Sequence, residues 1–309
     1  MKKIIREVDE KKGIVQVTIM DERFYAKSIT DEATGLPMYK YYPSISWISG
    51  FYPKGVEFYK WLAAKGWDEA ENIKTTAGDK GTKVHAAVED VLNGVEVRID
   101  SKYLNKTTGE MQELTLEECD AILSFISWRG QTKPVKICTE STLISDKYNC
   151  AGTLDFLYRV DGEDSNILHL MDFKISKQVW KSYELQISAY KKLVLEAIEN
   201  GEITIDGLDK KRPVEIVCEI LQLGYSRNKA GFKVNIIPDK FDLFLSARSI
   251  WSEENDGASP SKKDYPIVLS AGVIPDVKFV DGSTFSEPIV PVKNPGKKET
   301  KIEPLKKLN

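Results

Sequence analysis

The sequence predicts a mixed α/β protein in which a central mixed β-sheet is flanked by helices. Two observations favour this class. Apolar residues recur at helical spacing in residues 82–92 and 182–198. Between those helices they alternate with other residues at strand spacing in three consecutive segments, residues 135–144, 152–160 and 166–175. Helices on both sides of a group of strands are expected to cover one sheet, so we expect a single domain.

The domain is expected to cover residues 1–288, with an N-terminal extension (residues 1–80) ahead of a core (residues 81–255). Residues 12–28 alternate as a β-hairpin does, and a turn-rich segment follows over residues 29–43. We therefore expect the extension to begin with an antiparallel hairpin.

A helical part completes the predicted extension. Ser44 or Ser46 is the expected cap of a first helix, because a serine oxygen can accept from the free amides at a helix start. Residues 56–65 predict a second short helix. Aromatic residues with interleaved lysines are frequent over residues 41–67. We expect most of these rings to lie in the core, with stacking on single-stranded DNA as the alternative.

Several predicted helices of the core are preceded by residues that commonly cap a helix. Thr82 is the expected cap of the helix over residues 82–92, and Thr115 precedes a helix over residues 116–128 with an acidic first turn. Asp239 is the expected cap of the last helix, which is predicted to end near Trp251. Two further strands are predicted ahead of it, over residues 214–225 and 232–237.

Composition limits the classes of function. With 44 basic and 47 acidic residues the net charge is −3, so a nucleic-acid surface has to be local. No apolar run approaches the ~20 residues of a membrane span. The charged N-terminus is unlike a signal peptide, which favours a cytoplasmic protein. The four cysteines are widely spaced and are interpreted as ordinary thiols. Residues 289–309 are rich in lysine and proline, which predicts a disordered basic tail.

Three charged residues interrupt the predicted strands. Asp172 and Lys174 lie two apart on an otherwise apolar strand and share a face, and Asp155 sits among apolar neighbours on the strand before. A structural ion pair is the simpler explanation of Asp172 and Lys174. If the strands form a hairpin, however, Asp155 and Asp172 converge, and two close carboxylates repel unless a divalent cation lies between them. Oxygen ligands favour Mg²⁺, with Mn²⁺ as a substitute. The pattern indicates metal-assisted phosphodiester hydrolysis.

The order of these residues resembles the PD-(D/E)xK nuclease superfamily. Asp155 followed by Asp172-x-Lys174 is similar to the signature of that superfamily. Residues 81–89 (GTKVHAAVE) resemble the GTxxHxxxE helix of its RecB-type branch, and residues 186–190 (QISAY) resemble the QxxxY motif of the same branch. DxK alone is common, so the four motifs carry the resemblance through their order.

The segment that precedes the core adds to this resemblance. Arg23-Phe-Tyr and residues 42–46 are similar to the corresponding part of phage and mitochondrial genome-maintenance exonucleases. The resemblance spans about residues 23–255 and implies a restriction-endonuclease-like core.

The resemblance also implies roles for individual residues. The metal ligands would be His85, Asp155, Asp172 and the backbone carbonyl of Phe173. Lys174 would act on the attacking water, which makes the catalytic residues Asp155, Asp172 and Lys174. Residues expected to support the site or to contact DNA are Gln186, Tyr190, Glu140, Thr82 and Glu89.

Simpler explanations compete with several of these roles. A histidine among valines is usually a core residue, but the position of His85 in the motif favours a ligand. His169 has no such context and is interpreted as packing. Glu89 is expected to orient the imidazole rather than to bind metal. Without the motif, Gln186 and Tyr190 would be an ordinary helix face.

The implied function is a Mg²⁺-dependent DNA nuclease, an exonuclease that acts from DNA ends in recombination, repair or replication. The alternatives are a structure-specific or single-strand endonuclease and a DNA-binding accessory subunit with the nuclease fold. Expected partners are DNA, single-stranded or with a free end, and a helicase, recombinase or single-strand-binding protein, because the chain has no P-loop of its own. No membrane is expected. The cysteine spacing does not fit an iron–sulfur cluster, so none is expected. The expected location is the cytoplasm of a bacterial or phage-infected cell.

Overall fold

The structure, a computed structural model, describes residues 3–9, 12–19, 22–30, 35, 37–176 and 178–255. Within these residues the protein is mixed α/β, with a five-stranded mixed sheet, six helices and an antiparallel N-terminal region. The predicted fold class is confirmed at this level. The basic tail predicted for residues 289–309 lies outside the described residues, as does the end of the predicted domain.

The N-terminal region is a four-stranded antiparallel sheet rather than a single hairpin. Its strands are paired in chain order: β1 (Lys3–Asp9), β2 (Ile14–Ile19), β3 (Glu22–Thr30) and β4 (Pro37–Pro43). The predicted hairpin corresponds to β2 and β3. The prediction of a turn-rich segment over residues 29–43 is wrong for residues 37–43, because these residues form β4. The tyrosines of β4 suit a strand, and β3 supplies the backbone partners that composition alone does not reveal.

Three helices follow, namely α1 (Ile45–Gly50), α2 (Val56–Lys65) and α3 (Trp67–Leu92). Ser44 caps α1, with its Oγ accepting from the amide of Trp47 at 3.1 Å. The helix predicted to begin at Thr82 begins at Trp67 instead. Its first part has no apolar stripe, because of residues 67–78 only Ala70 is buried. Thr82 is therefore no cap, and in mid-helix its hydroxyl donates to the carbonyl of Gly78.

A small hairpin of β5 (Lys102–Leu104) and β6 (Met111–Glu113) leads to α4 (Leu116–Thr132). Thr115 caps α4 as predicted. Its hydroxyl accepts from the Glu118 amide while the Glu118 carboxylate accepts from the Thr115 amide. Glu118 also pairs with Lys83 of α3 at 2.8 Å, with both side chains buried. This ion pair fastens the beginning of α4 to α3.

The central sheet has the order β11-β10-β9-β8-β7. Its strands are β7 (Pro134–Ser145), β8 (Cys150–Val160), β9 (Ile167–Lys174), β10 (Glu215–Leu223) and β11 (Phe232–Ile237). All five were predicted. The pairing of β9 with β10 is parallel and the other three are antiparallel. Parallel neighbours need a crossover, which α5 (Lys181–Glu199) supplies.

The last described helix is α6 (Phe241–Glu254). Its N-cap is Lys240 rather than the predicted Asp239, although the Asp239 carboxylate accepts from the Phe241 amide at 2.9 Å. With α1 and α5 it covers one face of the central sheet, where Leu168 and Leu170 of β9 are buried. The helices α3 and α4 cover the other face, where Phe173 of β9 is buried. Successive residues of β9 therefore face opposite layers, as the period of two predicted.

Among the helices that the structure describes, none combines the length and the apolar character needed to cross a bilayer.

Candidate metal centre

Three potential metal ligands meet at the central sheet. His85 comes from α3, Glu140 from β7 and Asp155 from β8, and one ligand atom of each lies within 4.8 Å of the others. The imidazole Nδ1 is 3.6 Å from Asp155 Oδ1 and 4.0 Å from Glu140 Oε1. All three side chains are partly exposed, so the group is open to solvent and to a ligand.

Glu140 reaches this group from an irregular part of β7. The ladder pairs on either side of it, Thr139 with Phe156 and Ser141 with Leu154, place Glu140 opposite Asp155. Its φ angle is +46°, a left-handed conformation that L-residues adopt at a cost. The resemblance implies for Glu140 only a role in supporting the site or contacting DNA. The structure brings its carboxylate within 4.0 Å of His85 Nδ1, against 3.6 Å for the predicted ligand Asp155.

The backbone of Phe173 joins His85 to Asp155. The Phe173 amide donates to Asp155 Oδ2 at 2.7 Å, which orients that carboxylate. The Phe173 carbonyl oxygen lies 2.9 Å from His85 Nε2. A carbonyl can only accept, so Nε2 is the donor in this contact. The carbonyl predicted as a metal ligand is thus placed directly against the predicted imidazole ligand.

His85 is held as an imidazolium in this arrangement. Burial lowers the pKa of the ring, but the charges of Asp155 and Glu140 outweigh burial and raise the pKa to about 9. The pKa of Asp155 moves the other way. Burial opposes its ionisation, yet His85 and Lys174 together hold the pKa below its ordinary value. The proton on His85 therefore occupies the place where a cation would balance the same carboxylates.

Asp172 and Lys174 lie next to this group on β9. Asp172 is almost fully buried, and its Oδ2 is 2.5 Å from Lys174 Nζ. Burial raises the pKa of Asp172 to about 6, although Lys174 opposes this shift. For Lys174, burial lowers the pKa, but Asp172 and Asp155 outweigh it and the net shift is upward. The lysine is therefore an ammonium, and its Nζ also lies 4.9 Å from the ring centre of Tyr183.

The geometry fits a bound divalent cation at two points. One ligand atom each of His85, Glu140 and Asp155 lies within 4.8 Å of the others, so all three could contact one ion at ligand distances of about 2.0–2.6 Å. Asp172 Oδ2 is buried and makes no properly oriented hydrogen bond to the residues that the structure describes. The Lys174 ammonium beside this oxygen balances its charge, and a divalent cation could coordinate the same carboxylate.

Tyr190 and Gln186 of α5 lie behind the acids. Gln186 Nε2 donates to Tyr190 Oη over a long 3.4 Å, which places both on one helix face. Tyr190 is buried, and a methyl group at Gly152 of β8 would come within 2.5 Å of its ring. Burial raises the pKa of Tyr190, with further contributions from Asp155 and Asp172. This position suits support of β8 better than contact with DNA.

The remaining predicted residues lie further along the same elements. Thr82 and Glu89 flank His85 on α3, one turn away on either side, and the orienting role of Glu89 stays a prediction. The ring of His169 stacks on Tyr158, as its interpretation as packing requires. The surroundings of this ring are more polar than simple packing implies, because its Nε2 is 2.8 Å from a carboxylate oxygen of Glu163. Nothing in the spacing of the sequence indicated this contact.

The rings near the N-terminus divide into two groups. Tyr42 is buried, in line with the expectation of core packing. On α2 and at the start of α3 that expectation is wrong, since the exposed fractions are 57% for Tyr59, 37% for Trp61 and 69% for Trp67. No side chain of α2 is buried, so these rings lie outside the core.

The chain was also compared with known proteins. No model of a known protein family matches it, and the search of curated proteins found no match.

Proposed function

We propose that this chain is a metal-dependent deoxyribonuclease of the PD-(D/E)xK class and that its central sheet is the restriction-endonuclease-like core of that class. One observation carries the proposal. Five residues from four separate elements converge on one small volume, namely His85, Glu140, Asp155, Asp172 and Lys174. Chain connectivity does not require this meeting, because the β5–β6 hairpin and α4 lie between α3 and β7 in the sequence.

The donor set favours Mg²⁺ or Mn²⁺. Carboxylate and carbonyl oxygens predominate, with one imidazole and no thiolate among the converging groups. Three carboxylates face two cationic side chains, so the group carries a net negative charge that a divalent ion would offset. His85, Asp155, Asp172 and the Phe173 carbonyl would hold the ion, with Glu140 beside them.

The chain's own residues supply orientation and charge. A bound Mg²⁺ would lower the pKa of a coordinated water and offset charge on the phosphate. Asp155 is held in place by the Phe173 amide. Lys174 is ammonium, and its Nζ has only the neighbouring Asp172 carboxylate within ion-pair distance among the described residues. It can therefore donate to a non-bridging phosphate oxygen or to the attacking water, which stabilises the negative charge that develops on phosphorus.

DNA is proposed as the polymer because the motifs resemble those of DNA nucleases. The exposed rings of Tyr59, Trp61 and Trp67 lie on α2 and α3, and α3 also carries His85. Aromatic rings of this kind stack on unpaired bases, which supports a single-stranded substrate. Exonuclease action, a helicase or recombinase partner and a cytoplasmic location remain part of the proposal.

The test is cleavage of end-labelled linear and circular DNA, single- and double-stranded, with Mg²⁺, Mn²⁺ or EDTA. Degradation of linear DNA alone, lost in EDTA and in Lys174→Ala, is the expected result. Lys181→Ala is the matched control, because Lys181 is an exposed lysine paired with Glu184 at the start of α5. Cutting of circular DNA would show an endonuclease. DNA binding without cleavage in any divalent metal would leave only the accessory-subunit function.

A further inference from the structure

A chain of hydrogen bonds joins the N-terminal sheet to the strand that carries Asp155. Gln16 Nε2 donates to Tyr25 Oη at 3.0 Å, and Tyr25 Oη lies 3.2 Å from Thr153 Oγ1. Thr153 Oγ1 in turn lies 3.0 Å from Thr142 Oγ1. Tyr25 and Thr142 are buried, and the other two are partly buried. These hydrogen bonds are therefore shielded from most competing water.

The donors and acceptors determine in which direction the hydrogen bonds of this series run. Tyr25 Oη accepts from Gln16, so its single proton is free for Thr153. If Thr153 accepts that proton, its own hydroxyl proton is free for Thr142. Hydrogen bonds that run head to tail in a shielded site reinforce one another. Removal of the Tyr25 hydroxyl would take away the donor on which the orientation of Thr153 depends.

Thr142 and Thr153 are neighbours of the metal-binding acids. They are direct ladder partners across β7 and β8. Thr153 precedes Asp155 by two residues, and Thr142 follows Glu140 by two, so each threonine lies next along the strand to an acid of the candidate centre. The hydroxyl pair thus bridges the two strands one step away from the point where Glu140 and Asp155 meet.

The backbone of β7 is irregular close to the point where the acids meet. The register shifts between Lys136 and Cys138, and Glu140 has a left-handed φ angle. Side chains supply bonds in this stretch, since Thr139 Oγ1 donates to the Asp155 carbonyl at 2.8 Å. The spacing of Glu140 and Asp155 then depends on side-chain bonds as well as on the regular ladder.

We infer that Tyr25 is a positioning residue for the metal centre. Through Thr153 its hydroxyl holds the two strands at the separation where Glu140 and Asp155 can share one ion. The N-terminal sheet is then part of the scaffold of the active site, although it lies outside the core defined by residues 81–255. This inference rests on the proposed function.

The sheet itself provides a matched control. Tyr42 is the ladder partner of Tyr25, is buried to the same degree and also bonds to the central sheet through its hydroxyl. It donates to Asp146 in the turn between β7 and β8 at 2.7 Å, away from the acids. Tyr42→Phe and Tyr25→Phe delete the same atom from the same sheet, but only Tyr25 has its hydroxyl against Thr153.

The experiment measures Mn²⁺ binding to the full, metal-free chain by calorimetry, together with thermal unfolding. Tyr25→Phe and Thr153→Val are expected to weaken Mn²⁺ binding by about tenfold to a hundredfold, as loss of a group that orients a ligand does. Thr153→Ser keeps the hydroxyl and should bind as wild type does, and so should Tyr42→Phe. These four variants separate metal affinity from stability, because Tyr42→Phe also loses a buried hydrogen bond.

Three results would overturn the inference. If Tyr25→Phe and Tyr42→Phe bind Mn²⁺ equally well while the wild type binds and cleaves, the hydroxyl chain is structural only and the proposed function stands. If Mn²⁺ affinity follows the unfolding temperature across all four variants, the effect is again structural. A wild-type chain that neither binds Mn²⁺ nor cleaves DNA would contradict the proposed function itself, and this inference with it.

Discussion

His85 Nε2 and the carbonyl oxygen of Phe173 lie 2.9 Å apart, although 88 residues of sequence separate them. The contact fastens the last third of α3 to the end of β9, immediately between Asp172 and Lys174. Because the Phe173 amide also orients Asp155, one peptide segment positions both the histidine and a carboxylate. The predicted metal ligands are therefore coupled through a single stretch of backbone.

Replacement of His85 tests whether this coupling serves metal binding. His85→Ala is expected to lower the affinity for Mn²⁺ and to raise the Mg²⁺ concentration needed for cleavage, because an imidazole donor is lost and the Phe173 carbonyl is left without its partner. His169→Ala is the matched control, since His169 is the second histidine and bonds to Glu163 instead. Wild-type metal affinity in His85→Ala would return His85 to the role of a core histidine.

Metal binding should depend strongly on pH. The pKa of His85 is raised to about 9, so in the metal-free protein the ring is protonated at pH 7 and a cation has to displace that proton. We expect affinity to rise with pH up to about 9, and to fall further below about pH 6, where Asp172 also takes up a proton. Calorimetry in two buffers of different ionisation enthalpy should show release of about one proton per ion at pH 7. Release that is unchanged in His85→Ala would contradict this assignment.

The same shift predicts a stability change in the metal-free protein. A histidine whose pKa is higher in the folded state stabilises the fold below its unfolded pKa of about 6.5, and this contribution disappears as pH rises through about 9. Unfolding temperatures measured in EDTA from pH 6 to 10 should show a loss over that window. The loss should be absent in His85→Ala.

Part of this site could be predicted because strongly periodic segments carry it. Asp155, Asp172 and Lys174 stand out as charges in otherwise apolar strands, and the buried half of α3 has a clear stripe around His85. The pattern of alternation thus placed each residue on the correct element. It also predicted that Asp172 and Phe173 would face opposite sides of β9.

Other parts could not be predicted from pattern. Of the first 15 residues of α3 only Ala70 is buried, so burial leaves no period in them. The strand β4 depends on pairing with β3, which is a tertiary contact. The closeness of Glu140 to His85 depends on a left-handed φ angle and on the register of β7 with β8. Neither is encoded in local composition.

Gly152 should be essential for the packing of the Tyr190 ring against β8. A methyl group at this position would lie 2.5 Å from the ring, closer than packed atoms tolerate. Gly152→Ala is expected to destabilise the fold by about 1–3 kcal/mol through overpacking. Gly130→Ala is the control, because nothing lies within 4 Å of the added methyl and alanine favours the helix by up to about 1 kcal/mol. Urea unfolding checks both, and equal stability of Gly152→Ala and wild type would contradict the prediction.

The exposed rings of α2 and α3 should bind unpaired DNA. Trp61 and Trp67 are tryptophans outside the core, and removal of a ring that stacks on a base costs about 1–3 kcal/mol. Trp61→Ala and Trp67→Ala are expected to weaken binding of a labelled single-stranded oligonucleotide by about tenfold, measured by fluorescence anisotropy in EDTA so that no cleavage occurs. Mn²⁺ affinity should not change, because neither ring contacts the acids. Leu123→Ala, at an exposed apolar residue of α4, is the control. Unaltered binding in both tryptophan variants would exclude these rings from the DNA surface.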